Sequence, residues 1–266
     1  MRAATGNKTH ATETVSHAAV AMILAAVVLT GCSAAPGGPA QSGTITVEYE
    51  PTQKHPQARD LLVEGAVMDT AAEELAAELW LVDDLHLLAT DCDTNNAYYD
   101  PQVSQVTICY ELIEEYRLSA DIHQRPTDRF VHSLVTETTY HEIAHALIDQ
   151  LELPITGNEE DVADQFVAYQ LLASEEDHRD ILLDVIDQYL HYGEHAQIDT
   201  DALADTHSLD SQRAYNYACY LYGSDREKGQ NLIEAEALTE ERAEYCPEEY
   251  RRAMEGWTML LEDHRR

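Results

Sequence analysis

The stretch between Pro126 and Pro154 constrains this chain most. Phe130, Val131, Leu134, Ile143, Ala144, Leu147 and Leu151 recur at helical spacing. The segment therefore reads as a core helix, started at Asp128 and reaching about Glu152. Inside it stands His141-Glu142-Ile143-Ala144-His145. Two histidines at i and i+4 lie one above the other on a helix, so both imidazoles can reach one metal ion. Glu142 sits beside them, where a carboxylate can take a proton from activated water. Composition alone gives roughly 0.07 occurrences of this spacing in such a chain. The motif gains weight from its setting, a core helix rather than a solvated one.

A third metal donor follows in the next helix. Pro154-Ile155-Thr156-Gly157 is a break, and helical pattern resumes over residues 159–173. Glu160 and Asp164 share one face of that helix. His141, His145 and Glu160 then form a set of two imidazoles and a carboxylate, a known catalytic Zn2+ set with water in the fourth position. Asp164 could orient His141 or His145 through the free ring nitrogen. Glu159, Glu160 and Asp161 also suit a helix N-terminus, which does not exclude ligation. A second spacing, His191-Tyr192-Gly193-Glu194-His195, is the inverted motif HxxEH. Gly193 interrupts it and it falls at a frayed helix end, so it is set aside. A transition state at such a centre needs an oxyanion donor. His207 is the first candidate, followed by Arg213, Tyr215 and Tyr217.

The rest of the pattern gives the fold class. Residues 44–50 alternate as a strand, residues 85–89 read as a short strand, and residues 103–110 as the best central strand. Asn95-Asn96 and Asp100-Pro101 are turn signals around Ala97-Tyr98-Tyr99. Further helices are predicted over residues 71–82, 111–119, 175–191, 205–222 and 240–262. Strands come first and helices dominate later. This is an α+β pattern, with a small N-terminal β-sheet packed on a mostly helical body over residues 44–266.

Residues 1–31 read as a secretory signal of lipoprotein type, and residues 32–43 as a flexible tether. A polar start carrying Arg2 and Lys8 precedes an apolar run over residues 18–29, too short to span a bilayer. Leu29-Thr30-Gly31-Cys32 follows and resembles the bacterial lipobox. That resemblance implies diacylglycerol on Cys32 and an extracytoplasmic, membrane-anchored protein. Export changes the reading of the four remaining cysteines, Cys92, Cys109, Cys219 and Cys246, which suggest two disulfides. Three pairings exist; the local one, Cys92–Cys109 with Cys219–Cys246, closes the shortest loops. The formal net charge of −34 repels phosphate backbones and anionic lipid, which argues against nucleic acid as a partner. The same acidity suits a saline habitat or a GC-rich genome. Oligomeric state is not readable.

HEIAH followed by Glu159-Glu160-Asp161-Val162-Ala163-Asp164 resembles the gluzincin pattern of HExxH and a later Glu-x-x-x-Asp. Over about residues 44–262 the chain also resembles a bacterial metallopeptidase family otherwise classed as a domain of unknown function. The likeness rests on the zinc motif, Asn96-Ala97-Tyr98-Tyr99-Asp100-Pro101, Ile108-Cys109-Tyr110-Glu111-Leu112, His207-Ser208-Leu209-Asp210-Ser211-Gln212-Arg213, and Cys219 with Tyr222-Gly223-Ser224. Ala144 departs from the Gly of many members and is small enough to replace it. The resemblance implies a zincin-like fold, zinc on His141, His145 and Glu160, and Glu142 as base. A sheet edge beside the metal would hold a peptide or protein substrate, and residues 103–110 are the strand expected nearest the site. The alternative from another class is a zinc-site envelope lipoprotein that binds or scaffolds without turnover.

Overall fold

Residues 42–173 and 178–266 are described by the computed structural model. The expected signal segment, Cys32 and all but the last two residues of the expected tether lie outside the described residues. The four strands are β1 (Ile45–Tyr49), β2 (Leu85–Thr90), β3 (Ala97–Asp100) and β4 (Gln105–Cys109). They form one mixed sheet in the order β1-β2-β4-β3. β1 runs parallel to β2 with Ile45 opposite Leu85, and β2 parallel to β4 with His86 opposite Gln105. β3 is antiparallel to β4, Ala97 facing Ile108. Along β2 the side chains alternate, and Leu85, Leu87 and Ala89 face the core.

Two helices make the crossover from β1 to β2: α1 (Pro56–Gly65) and α2 (Val67–Glu78). The sequence reading missed α1, whose apolar signal is thin; Ala58 and Leu62 are its buried residues. Pro56 at the first turn fixes a helical φ where a missing N–H costs nothing. α2 starts four residues before the predicted 71, because Val67 and Met68 are also buried. The helical body follows as α3 (Tyr110–Ile122), α4 (Thr127–Gln150), α5 (Glu159–Leu172), α6 (Arg179–His195), α7 (Thr200–Ala204), α8 (Asp210–Ser224), α9 (Gln230–Glu234), α10 (Glu240–Ala243) and α11 (Cys246–Leu261). The helix expected over 205–222 begins only at Asp210, and the one expected over 240–262 is two helices, with Pro247 in the first turn of α11.

α4 is the axis of the molecule. It packs on the sheet and on α2, α3, α5 and α6. Burial reaches its polar residues too, including Glu137, Thr138, Thr139, His141 and Glu142. Glu137, Thr138 and His141 meet partners inside the protein, whereas among the described residues Thr139 Oγ1 meets none. Two disulfides brace the frame. Cys92–Cys109 ties the β2–β3 connection to the end of β4, and Cys219–Cys246 ties α8 to the start of α11. These are the local pairings. The architecture is α+β. Among the described residues no helix is long and apolar enough to cross a membrane.

One expectation about the sheet needs correction. Residues 103–110 contain β4, which is an interior strand between β2 and β3. The edge beside α4 is β3, from the segment read only as bounded by turns. A four-residue strand between Asn-Asn and Asp-Pro is too short for its alternation to register as a pattern.

Candidate metal centre

The sequence builds the site from three pieces of chain. α4 contributes His141 and His145 from one face, and α5 contributes Glu160 from its first turn. The third piece is the segment between α7 and α8, which carries His207. Asn158 links the last two: its side chain caps α5 by accepting from the Glu160 amide at 3.2 Å, and its Nδ2 donates to the Thr206 carbonyl at 2.6 Å. Ser208 Oγ donates to Asp161 at 2.7 Å, and the His207 amide donates to Asp205 at 2.8 Å. These bonds hold His207 over the start of α5.

Three ring nitrogens converge on one carboxylate oxygen. Glu160 Oε2 lies 3.1 Å from His141 Nε2, 3.3 Å from His145 Nε2 and 3.1 Å from His207 Nε2. The Nε2 atoms of His141 and His145 are 3.3 Å apart. One ligand atom from each of His141, His145 and Glu160 falls within 4.8 Å of the others, so these three could hold one metal ion. His207 faces the same carboxylate from the more exposed side.

The outer nitrogens are held as well. His141 Nδ1 bonds Asp164 Oδ1 at 2.9 Å and His145 Nδ1 bonds Glu159 Oε1 at 2.8 Å. Asp164 therefore orients His141, and Glu159 takes the role at His145. Such bonds fix the ring and leave Nε2 to face a cation. Burial alone would push His141 down, but hydrogen bonds to Asp164 and Glu160 outweigh it and raise its pKa to about 10. Burial would raise Glu160, yet the three imidazoles hold its carboxyl far below the usual range. His207 is raised, first by its bond to Glu160.

Glu142 differs from all of these. It is 8% exposed, and among the described residues nothing hydrogen-bonds its carboxylate. Burial raises its pKa, and the neighbouring imidazoles only partly offset that. It lines a cleft of about 940 Å³ whose walls include Tyr98 and Tyr99 of β3, His145 and Asp149 of α4, and Glu160 and His207.

Behind His141 lies a buried ionic layer. Arg213 of α8 grips Asp164 with two bonds, Nε to Oδ2 at 2.8 Å and Nη2 to Oδ1 at 2.6 Å. Its Nη2 also donates to Glu137 Oε1 at 3.1 Å, and its guanidinium lies 4.3 Å from the centre of the Tyr189 ring. Tyr189 and Tyr217 hydroxyls each stand 3.0 Å from Glu137 Oε1, and Tyr217 is equally close to Asp164 Oδ1. This layer changes two sequence expectations. Arg213 and Tyr217 are committed to buried carboxylates and cannot face a substrate oxyanion. Tyr215 lines a different cavity, with Asp161 and Ser208. His207 alone of the four candidates reaches the centre. Glu137 was not singled out, although it sits one turn before His141, on the same helix face. The inverted motif lies apart at the end of α6, where His195 Nδ1 bonds the His191 carbonyl at 2.8 Å.

The profile of one protein family, described as "Putative metallopeptidase", matches residues 48–261. No curated protein and no solved structure gave a significant match.

Proposed function

The chain belongs to that metallopeptidase family, and from this premise we propose that it is a zinc-dependent peptidase in which His141, His145 and Glu160 hold the metal. The observation that carries the reading is the convergence of two motif imidazoles and Glu160 within ligand distance of one another. The fit is chemical as well as spatial. Two imidazoles and one carboxylate are donors that suit Zn2+, and Asp164 fixes the tautomer of His141 from behind. Bound there, zinc supplies Lewis-acid polarisation of a carbonyl and acidification of water.

The remaining steps belong to the protein. Glu142 is next to His141 and so turned about 100° from it around the helix, which suits a base better than a ligand. Burial keeps its carboxylate basic, so it accepts the proton of the attacking water and returns it to the leaving amine. His207 donates from Nε2 to the oxyanion that develops as the carbonyl is attacked. β3 has no strand on its outer side among the described residues, so an extended peptide can pair with it and cross the cleft beside Glu142.

The chain is further read as exported and lipid-anchored at Cys32. The lipobox-like Leu29-Thr30-Gly31-Cys32 and the two disulfides support this. Loss of membrane association in Cys32→Ala is the expected result, and wild type recovered wholly free in the medium would refute it.

The central test combines metal analysis with turnover on an unfolded protein. Wild type should bind one zinc per chain and cleave. His141→Ala should lose the metal, and Glu142→Gln should keep it without cleaving. A Glu142→Gln protein as fast as wild type would sink the peptidase reading.

A further inference from the structure

The inverted histidine motif has no part in the chemistry above. His191, Glu194 and His195 stand at i, i+3 and i+4 and therefore share one face of α6. Gly193 does not interrupt the helix, which runs through it to His195. Packing explains the glycine. A Cβ at position 193 would lie 2.0 Å from Ser211 Oγ and 3.0 Å from the Ser211 amide nitrogen, so glycine lets the start of α8 close in on this turn. Beside it, the Tyr192 hydroxyl donates to Glu115 Oε1 at 2.5 Å and ties the turn to α3. The last turn of α6 is fastened from two sides, while His191 is half-buried and Glu194 and His195 are exposed.

These three side chains make a donor set. One ligand atom from each falls within 4.8 Å of the others. The rings of His191 and His195 are 4.4 Å apart, centre to centre. His195 Nδ1 bonds the His191 carbonyl at 2.8 Å. A carbonyl only accepts, so the proton sits on Nδ1 and the lone pair of Nε2 is left for a cation. Among the described residues no hydrogen bond or ion pair engages the ring nitrogens of His191 or the carboxylate of Glu194. Other histidines outside the metal centre differ: His86 Nδ1 bonds Gln105 at 3.1 Å, and His123 Nε2 bonds Gln188 at 3.1 Å. The carbonyl end of α6 adds a negative pole at this position, which favours a cation.

We propose that His191, Glu194 and His195 bind a second divalent transition-metal ion, with water completing its shell. Two imidazoles select ions such as Zn2+ over Ca2+ and Mg2+, which take oxygen ligands. This ion is structural and not hydrolytic. His141 has the carboxylate of Asp164 behind it and the buried Glu142 beside it, whereas a backbone carbonyl holds His195 and no described residue hydrogen-bonds the His191 ring. The ion clasps the last turn of α6, from whose end the chain leads on to His207. Exposed side chains must be ordered to hold it, so it binds more weakly than the ion of the buried centre. The purified chain therefore keeps one zinc, and the second enters as free zinc is raised. Nothing in this site depends on the peptidase reading.

The test counts metal in the full chain. Wild type and the His191→Ala/His195→Ala double variant are dialysed against a series of buffered free zinc concentrations, and bound zinc is measured by elemental analysis. Wild type should take up one equivalent more than the double variant, at higher free zinc than fills the buried centre. By linkage, that step should raise the melting temperature of wild type and leave the double variant unmoved. Excess Ca2+ or Mg2+ should not displace the extra zinc. A His191→Gln/His195→Gln pair repeats the comparison with longer polar side chains, in case alanine disturbs the helix end. Equal zinc uptake by wild type and both pairs at every concentration overturns the proposal, as does an extra equivalent that Ca2+ or Mg2+ displaces. Failure of the peptidase reading looks different. The zinc left in the double variant reports on His141, His145 and Glu160, and the difference between the proteins reports on α6 alone. One zinc in wild type and none in the double variant would retain the α6 site and refute the other.

Discussion

His141 divides two regions built from similar residues. Behind its Nδ1, Asp164, Glu137, Arg213, Tyr189 and Tyr217 bond one another inside the protein, and each carboxylate has several partners. In front of its Nε2, three imidazoles compete for one oxygen of Glu160, and Glu142 has no hydrogen bond within the described chain. Carboxylates satisfied internally fix structure. Carboxylates and imidazoles left facing a cleft hold capacity for an incoming cation, water or substrate. Burial alone does not distinguish them, since Glu137, Asp164 and Glu142 are all buried.

The sharpest way to break this contrast is Arg213→Met. It leaves Asp164 and Glu137 facing each other in the interior without their cation. A loss of about 3–5 kcal/mol is expected in chemical denaturation, as for other buried pairs stripped of one partner. Glu142→Gln probes the opposite side and should separate function from stability. Turnover should fall by roughly a hundred-fold or more, with no loss of stability. The sign with pH is fixed, because a carboxyl raised on folding binds more protons folded than unfolded. Its destabilising effect grows as pH rises through the range between its unfolded and folded values. In the metal-free protein the stability gained in Glu142→Gln should therefore grow as pH rises and vanish in acid, as thermal melts across pH will show.

Two smaller changes refine the boundary. Tyr217→Phe removes one buried hydroxyl from Glu137 and Asp164, and should cost about 2 kcal/mol. Its effect on KM should be slight. His207→Ala should do the reverse, leaving the melting temperature near wild type and lowering kcat about ten-fold, with zinc retained. Equal stability losses from His207→Ala and Tyr217→Phe would erase the division.

How much of this was legible in the sequence follows from how local each signal is. His141, Glu142 and His145 lie within one helical turn, so spacing and the apolar frame of α4 declare them. Glu160 stands at a helix start just beyond a Pro-Gly break and is nearly as local. The pairings Cys92–Cys109 and Cys219–Cys246 follow chain proximity. The ionic layer is different. Arg213 is 49 residues from Asp164 and 76 from Glu137, and nothing in a linear pattern tells a buried pair from a cleft donor. Arg213 was thus a candidate for the oxyanion, after His207. Glu137 could have been suspected from its i−4 relation to His141, since a carboxylate on the face of a core helix requires a partner. β3 escaped because four residues between turn signals carry too little alternation, and α1 because few of its residues are apolar.

The span of the ionic layer also bears on how the centre comes into being. A turn of helix can close in under a microsecond, whereas contacts between residues 49 to 76 apart must wait for the intervening chain to be ordered. An isolated α4 fragment would carry both motif histidines and yet lack Glu160, Asp164 and the guanidinium that steadies them. Metal affinity should therefore emerge late and all at once in refolding, together with the docking of α8. By linkage, a metal bound only by the finished fold would slow global unfolding rather than protect α4 alone. Hydrogen exchange along α4 would then report on the remote α8 as faithfully as on the motif itself.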